Sequence, residues 1–426
     1  MNVRLLQPSS AIWSAEIDRI GALLHAGKNP TLFPYHFLQV VLPRLGGKIV
    51  WLEEPGAPVG VGFLFPRGLK TAASGNGNGA PGSTREYTLR YHPLRHPPTP
   101  QEIRQITQAV ASHLDGAGVV YYDPAGPHHY IATARAIGQI VIGRPDADEA
   151  AHTRILHQRI WGSPPEFLYP SDIYSVEFKA GTALVARVEG QLAGFLFGFY
   201  RFDGPPLPAD WHNRFLGALR LESQVMGVLP DYRGMRVGNL LKKVQAEEAW
   251  AQGIGIVHWT ADPLQFPNAA LNFGLLRALA FHFYPNLYPF RNELNRVPAS
   301  RFGLTWLVGS ERVRNVPLIG ARALVLDLAH QQDIQRVNDG VAAVDYHADQ
   351  PYIAIEIPAD WTALQQQSLE EALRWREVTD RLFAYYVGSA PGQYVITGVA
   401  TEGERRFLIG QRVDDALWEH LGHSGG

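Results

Sequence analysis

Apolar residues along this chain fall into short dense runs and into longer stretches with helical spacing, and the two kinds alternate. The most informative pair lies near the middle. Leu221 to Leu229 is an apolar run broken by Glu222 and Gln224, which reads as a largely buried strand, and Pro230 stops it because proline cannot donate to a ladder. Val237, Leu240, Leu241 and Val244 then mark one face of a helix, with Lys242, Lys243, Glu247 and Glu248 mostly turned away from it. Between strand and helix lies a basic, glycine-containing turn.

Upstream, Ile12, Ile17, Ile20, Leu23 and Leu24 give residues 11–45 a helical face, with a second segment from Tyr35 to Leu42 ending at Pro43. Lys48–Leu52 and Val59–Phe65 read as strands joined by the turn Glu54–Pro58. Gly68 to Ser83 is rich in Gly, Asn and Ala and is expected to be a mobile loop. Glu86–Tyr91 predicts a strand, Pro100–Leu114 a helix, and Val119–Tyr122 a strand closed by Asp123-Pro124. The second half runs through the same order. Leu184–Val188 and Gln191–Tyr200 form a hairpin, the central strand and helix follow, and Ile256–Thr260 leads to Asp262-Pro263.

Two local identities mark this repeat. Gly62-Phe63-Leu64-Phe65 returns as Gly194-Phe195-Leu196-Phe197, and Gly116-Ala117-Gly118-Val119-Val120 as Gly253-Ile254-Gly255-Ile256-Val257. The intervals from the first match to the Asp-Pro pair are similar, about 60 and about 70 residues, as one duplicated plan requires. Phe302–Val308 reads as the last strand of the second copy. The pattern then resets, with strands at Ile353–Ile357, Tyr394–Ala400 and Arg406–Gln411 and a helix over Leu364–Tyr385. The expected division is 1–144, 145–330 and 331–426.

With 426 residues the chain exceeds one ordinary core, and 46% apolar with 18% charged residues is a globular composition. A net charge of −2 leaves no electrostatic footprint for nucleic acid or an anionic membrane. Cysteine is absent, which excludes disulfides, thiolate metal sites and a cysteine nucleophile and fits a cytoplasmic location. The start MNVRLLQPSS lacks the apolar core of a signal peptide, and no run approaches the ~20 apolar residues of a membrane helix.

The basic turn carries the candidate chemistry. Arg233, Gly234, Met235, Arg236, Val237 and Gly238 sit where a helix N-terminus leaves backbone N–H groups free, and those amides with the helix dipole favour an anion. The hexapeptide resembles the diphosphate-binding loop of the GNAT superfamily of N-acyltransferases, Q/R-x-x-G-x-G/A. Arg233 and Gly238 fit the first and last positions, while Arg236 stands where the middle glycine is expected. Val228, Pro230, Tyr232, Arg233 and Gly234 give the V-x-P-x-Y-R-G entry common in that superfamily, and Asp262-Pro263 followed by Asn268 also matches. The run around Asn268, with the C-terminal tail, is similar to a group of predicted bacterial GNAT proteins without assigned function; the specific part covers roughly 180–310. The resemblance implies an α/β (α+β) fold, a GNAT-like mixed sheet flanked by helices, here duplicated, with a small C-terminal α/β unit.

It also implies acetyl-CoA as the cofactor, without a metal. Met226, Gly227 and Val228 would contact the pantetheine arm, Arg233 to Gly238 the diphosphate, and Asn268 the arm again unless it is an N-cap. Arg236 would reach the 3′-phosphate or lie in solvent. Acyl transfer needs a base, an oxyanion donor and an acid for the leaving thiolate. Glu222 is the candidate base, against a structural pairing with Arg220 or Arg187; His258 is a second candidate, against a core histidine. The family tyrosine is missing from the helix NAALNFGLLRALAFHF, so Tyr284 or Tyr288 is left as the acid, or the thiolate leaves unaided, or catalysis has been lost. In the first copy, Tyr91 to Pro98 offers no glycine at the corresponding junction. The leading expectation is therefore a coenzyme A-dependent N-acyltransferase acting on a small-molecule or peptide amine, with no nucleic acid or membrane partner and with homodimerisation open. The alternative is a catalytically degenerate acyl-CoA-binding or sensing protein. A transferase using aminoacyl-tRNA would need a basic groove, which the charge disfavours.

Overall fold

A computed structural model of the protein describes residues 2–70, 83–202, 204–208, 211–215, 217–288, 296–317 and 320–423. It divides into two compact units, Met1–Gly204 with Leu216–Ile254, and Pro205–Phe215 with Gly255–Gly426. Compactness thus cuts the chain at other points than the repeat does. Most of the loop expected to be mobile, residues 71–82, lies outside the described residues.

In the first unit, β1 (Asn2–Leu6), β2 (Lys48–Glu54), β3 (Ala57–Lys70) and β4 (Thr84–Pro93) form an antiparallel sheet in chain order, and β5 (Gly118–Tyr122) joins β4 in parallel. Helix α1 (Trp13–Leu23) lies between β1 and β2 in sequence, and α2 (Pro100–Ala111) between β4 and β5. The order then recurs. A hairpin, β6 (Arg135–Ile137) and β7 (Ile140–Gly143), is followed by α3 (Ala147–Trp161), β8 (Gly181–Val188), β9 (Gln191–Arg201), β10 (Arg220–Val228) and α4 (Val237–Ala251). Strands β7 to β10 are again antiparallel neighbours in chain order. The repeated tetrapeptides fall on β3 and β9, the equivalent strands. Their glycines have the same use: a Cβ on Gly62 would stand 2.5 Å from Leu89, and one on Gly194 2.7 Å from the Gly227 carbonyl. Periodicity did not predict β1 or α3. Helix α3 has only Ala150, Thr153 and Leu156 buried, too weak an apolar face to stand out.

An aromatic core fills this unit around Phe33, Phe37, Phe65, Phe178 and Phe199, all buried. A smaller cluster joins Leu156, Ile160 and Trp161 of α3 to Val185, Phe195 and Val225. Residue Gly227 lets that helix close on β10, because a Cβ there would meet Ile160 at 2.7 Å and Trp161 at 2.8 Å.

The second unit is a sheet in the order β11 (Ile256–Ala261), β13 (Ala299–Leu307), β12 (Leu279–Tyr288), β15 (Tyr394–Glu402), β16 (Arg405–Arg412) and β14 (Tyr352–Ile357). Two expectations are corrected here. The expected helix NAALNFGLLRALAFHF is helical only through Phe266–Ala269 and the π-helical Ala270–Leu275, and its end becomes β12. Arg277, at φ 59°, breaks the helix, and the following residues are claimed by pairing with β13. The expected helix Leu364–Tyr385 is two helices, α5 (Trp361–Gln367) and α6 (Leu369–Tyr386), because Ser368 leaves helical geometry to cap the second. Buried Asp262 accepts from Arg376 of α6 at 2.8 and 2.9 Å, from Arg301 at 3.3 Å and from Trp361 Nε1 at 3.2 Å, so the Asp-Pro pair anchors the C-terminal helices.

Candidate anion-binding site

Strand β10 ends at Val228, and Pro230–Tyr232 makes one 3₁₀ turn before the basic loop. Gly234 has φ +83° and Arg236 φ +68°, ψ 14°, both left-handed. The position where the pattern has glycine is therefore one whose backbone favours it, and this chain holds an arginine there against the steric preference of L residues. Arg236 is the N-cap of α4 and its side chain makes no capping bond. The Arg236 carbonyl accepts from Leu240 N at 3.0 Å, so the helix proper begins at Val237 and the amides of Val237, Gly238 and Asn239 have no carbonyl behind them within the helix. Arg233 and Arg236 are exposed beside them. A Cβ on Gly238 would lie 3.5 Å from the Met226 methyl, an ordinary contact, so the fold itself does not demand glycine at this position.

The helix α2 that follows β4 starts differently. Thr99 Oγ1 accepts from Glu102 N at 3.3 Å and Glu102 Oε2 accepts from Thr99 N at 2.7 Å, a complete capping box. Pro100 removes a further donor. A carboxylate of the chain already occupies that helix end.

Between Ser223 and Val225 the pairing of β10 with β9 slips by one residue, leaving Gln224 as a bulge. The bulge turns Gln224 and Val225 to the same face, toward α3, where Gln224 Nε2 donates to Tyr169 Oη at 3.3 Å and Val225 joins the α3 cluster. Ser223 faces α4 instead and accepts from Lys242 Nζ at 2.9 Å. The expectation that Lys242 and Lys243 turn away from the core is corrected: they are 3% and 8% exposed. Burial pulls the Lys242 amine down to about 7, against the opposing pull of Glu222.

Glu222 is 1% exposed and bridges two arginines, Arg44 at 3.1 Å and Arg201. The sequence suggested Arg220 or Arg187 as its structural partner, whereas its ion pairs are with Arg44 and Arg201. Arg220 Nε donates to the Gly217 carbonyl at 3.1 Å, and Arg187 pairs with Glu149 at 2.5 Å. Arg44, 178 residues away in sequence, gave no sequence signal at all.

On the same side, Arg154 of α3 donates to the Tyr169 carbonyl at 2.5 Å and lines a cavity of about 420 Å³ with Lys28, Phe33, Tyr35, Glu166 and Phe167. Sequence reasoning marked none of these, since they come from three separate segments of low pattern.

Four residues marked from sequence lie in the second unit. Asn268 is exposed within the turn Phe266–Ala269, whose N-cap is Gln265, so the N-cap reading is corrected. His258 is 2% exposed, its Nδ1 3.3 Å from both the Leu304 carbonyl and Thr305 Oγ1, a hydrogen-bonded core histidine. Tyr284, on β12, covers Gly303, where a Cβ would stand 2.8 Å from its ring, and Tyr288 Oη is 3.1 Å from Thr260 Oγ1. Among the described residues no group of three or more His, Cys, Asp or Glu side chains is arranged to hold a metal, and no helix is long and apolar enough to cross a membrane.

No family model matches the chain, and no curated protein matches it by sequence. Solved structures do overlay on it. The ribosomal-protein-S18-alanine N-acetyltransferase from Escherichia coli aligns at 14% identity over 40% of this chain and 94% of its own, with a TM-score of 0.31. Arabidopsis thaliana Naa50, in complex with a bisubstrate analogue, aligns at 15% identity over 39% and 97%, TM-score 0.30. A GNAT-family acetyltransferase from Streptococcus pneumoniae gives 14%, 39%, 97% and 0.30. With two fifths of the chain covered at such identity and TM-score, these overlays carry no argument, and what the strand order itself shows is a mixed α/β fold.

Proposed function

We propose that the protein is a coenzyme A-dependent N-acyltransferase that moves an acetyl group from acetyl-CoA to an amine. The observation that carries this is the uncapped, left-handed entry to α4, with Gly234 and Arg236 at positive φ and arginines at 233 and 236. Open amides, a helix dipole and two guanidiniums recognise a diphosphate. Met226, Gly227 and Val228 then offer backbone to the pantetheine arm along β10. The amine enters from the cavity beside Arg154 and Glu166, which the bulge residue Gln224 reaches through Tyr169. Asn268 and Tyr284 have no part in this reading. The repeated strand order supports a tandem arrangement with one working copy, since the first copy's helix end is already capped.

A second reading, an acyl-CoA-binding protein without turnover, is favoured by one observation: the sequence's candidate base, Glu222, is locked in a double ion pair. Calorimetry with acetyl-CoA followed by thiol release in the presence of an amine panel separates the two. Binding with release supports transfer, binding with no release across amino acids, polyamines and peptide N-termini supports the second reading, and no binding refutes both.

A further inference from the structure

The cavity of about 420 Å³ in the first unit holds an arginine whose charge the chain leaves unanswered. Arg44, Arg90, Arg187 and Arg201 each pair with a carboxylate of the same unit. Arg154 of α3 does not. It donates from Nη1 to the Tyr169 carbonyl at 2.5 Å, and among the described residues it makes no other hydrogen bond and no ion pair. Asp172 acts on it from a distance, but that carboxylate is already taken by Arg90 and by Tyr122 Oη at 2.6 Å. Burial holds the Arg154 guanidinium below its ordinary value, the mark of a half-buried cation short of an anion.

The bond to Tyr169 leaves the Nε–Nη2 edge without a partner among the described residues. That edge is the fork that meets both oxygens of one carboxylate. Lys28 and Glu166, the other charged residues of the wall, are exposed and opposite in sign. A phosphate would bring a second negative charge with only that offset pair to meet it, so the site suits a carboxylate. Buried Phe33 and half-buried Phe167 give the wall an apolar, aromatic part. The volume falls within the ~300–1,000 Å³ of small-molecule sites, which admits an amino acid with a large side chain and not a folded partner.

Arg154 is common to a second, narrower space. With Thr153, Tyr169, Phe195 and Val225 it lines a cleft of about 10 Å³, and Val225 precedes Met226 on β10. Such a cleft takes a group of about one water's size, such as an amino group, and excludes a side chain. The carboxylate and α-amine of an amino acid are joined through a single carbon. A carboxylate on Arg154 therefore leaves the amine at the cleft and the side chain in the cavity.

We infer that the acceptor is a free amino acid with an apolar or aromatic side chain, and that Arg154 selects it by its carboxylate. This rests on the acyltransferase reading above and names the acceptor class for it. Polyamines and peptide N-termini, which lack a carboxylate one carbon from the amine, are excluded.

The test reads binding and needs no turnover. Phenylalanine, leucine and methionine are titrated by calorimetry into the full-length protein, with and without free coenzyme A, beside their amides and decarboxylated amines. Wild type should bind at least one acid roughly 10- to 100-fold tighter than its own amide, the effect of a charge-assisted pair. In Arg154→Met acid and amide should bind alike, and Arg154→Lys should recover part of the preference, since an ammonium keeps the charge without the fork. Equal binding of acid and amide by wild type, a preference that survives Arg154→Met, or no binding of any acid overturns the proposal. So does tighter binding of phosphoethanolamine than of the three acids. Should Arg154→Met fail to fold, the acid-to-amide ratio in wild type decides alone. A separate titration with acetyl-CoA tests the reading beneath: without binding there, the acyltransferase reading falls, while the acid-to-amide ratio still reports on the cavity.

Discussion

Arg236 holds a backbone conformation that a glycine adopts freely, at a left-handed cost of ~1–2 kcal/mol for an L residue. Two substitutions separate its strain from its charge. Arg236→Gly should keep or slightly raise the melting temperature, yet lower acetyl-CoA affinity about tenfold and flatten its salt dependence. Arg236→Ala should lose the same affinity but melt lower than the glycine variant; equal affinity in wild type and both variants would place the guanidinium outside the phosphate site. Two nearby glycines contrast in the same way. Gly238→Val should spare the fold, where a Cβ makes only ordinary contacts, and weaken acetyl-CoA binding by about two to four decades through lost amide bonds of roughly 1.5–3 kcal/mol each. Gly227→Ala should instead destabilise by ~1–3 kcal/mol, because Ile160 and Trp161 leave no room. A thermal-shift titration with acetyl-CoA reads both. Glu222→Gln takes the Glu222 charge from buried Arg201 and half-buried Arg44 and should cost about 3–5 kcal/mol in a denaturant melt. Loss of turnover at unchanged stability would return Glu222 to the role of base.

The two helices that follow β4 and β10 begin from equivalent points in the repeated order and differ in how their ends are satisfied. Helix α2 spends its first amides on Thr99, carries Pro100 at its start, and seats the Glu102 carboxylate where an anion would come. Helix α4 leaves its first amides open behind a left-handed residue. One helix end is finished by the chain and the other awaits a ligand. Calorimetry should accordingly give one acetyl-CoA per chain, and a second equivalent would mean that the capping box opens to admit it. Thr99→Ala should destabilise the first unit by ~1 kcal/mol without creating a second site, since Pro100 still withholds a donor.

Over the first unit as a whole, buried His92 and half-buried His36 and His157 are held back from protonation. Burial pulls His36 and His157 down to about 4, with His157 opposing His36 and Arg154 opposing His157, and pulls His92 down to about 3, with Arg90 beside it. In the unfolded chain each titrates near 6.5. Between pH 6.5 and 4 the unfolded chain therefore binds protons that the folded chain refuses. Their contribution to stability is complete above about pH 6.5 and is lost as the pH falls through that window. Melting temperatures measured from pH 7.5 to 5 should drop, and His157→Asn should reduce the slope; an unchanged slope would remove His157 from the linkage.

What the residue order decided by itself is local. The strand before Pro230, the basic glycine turn, the helix after it and the duplicated order of elements follow from pattern, turn chemistry and the missing donor of proline, all short-range effects that need no partner. The arginine at 236 was visible as a departure, but its left-handed backbone was not, because sequence gives an expectation of φ only through residue type. Tertiary structure alone decided who meets Glu222, since Arg44 lies 178 residues away. It also decided that Lys242 is buried, which helical period alone does not predict. The same holds for the end of the π-helical Ala270–Leu275: AFHF is apolar enough for either state, and pairing with β13 made it a strand.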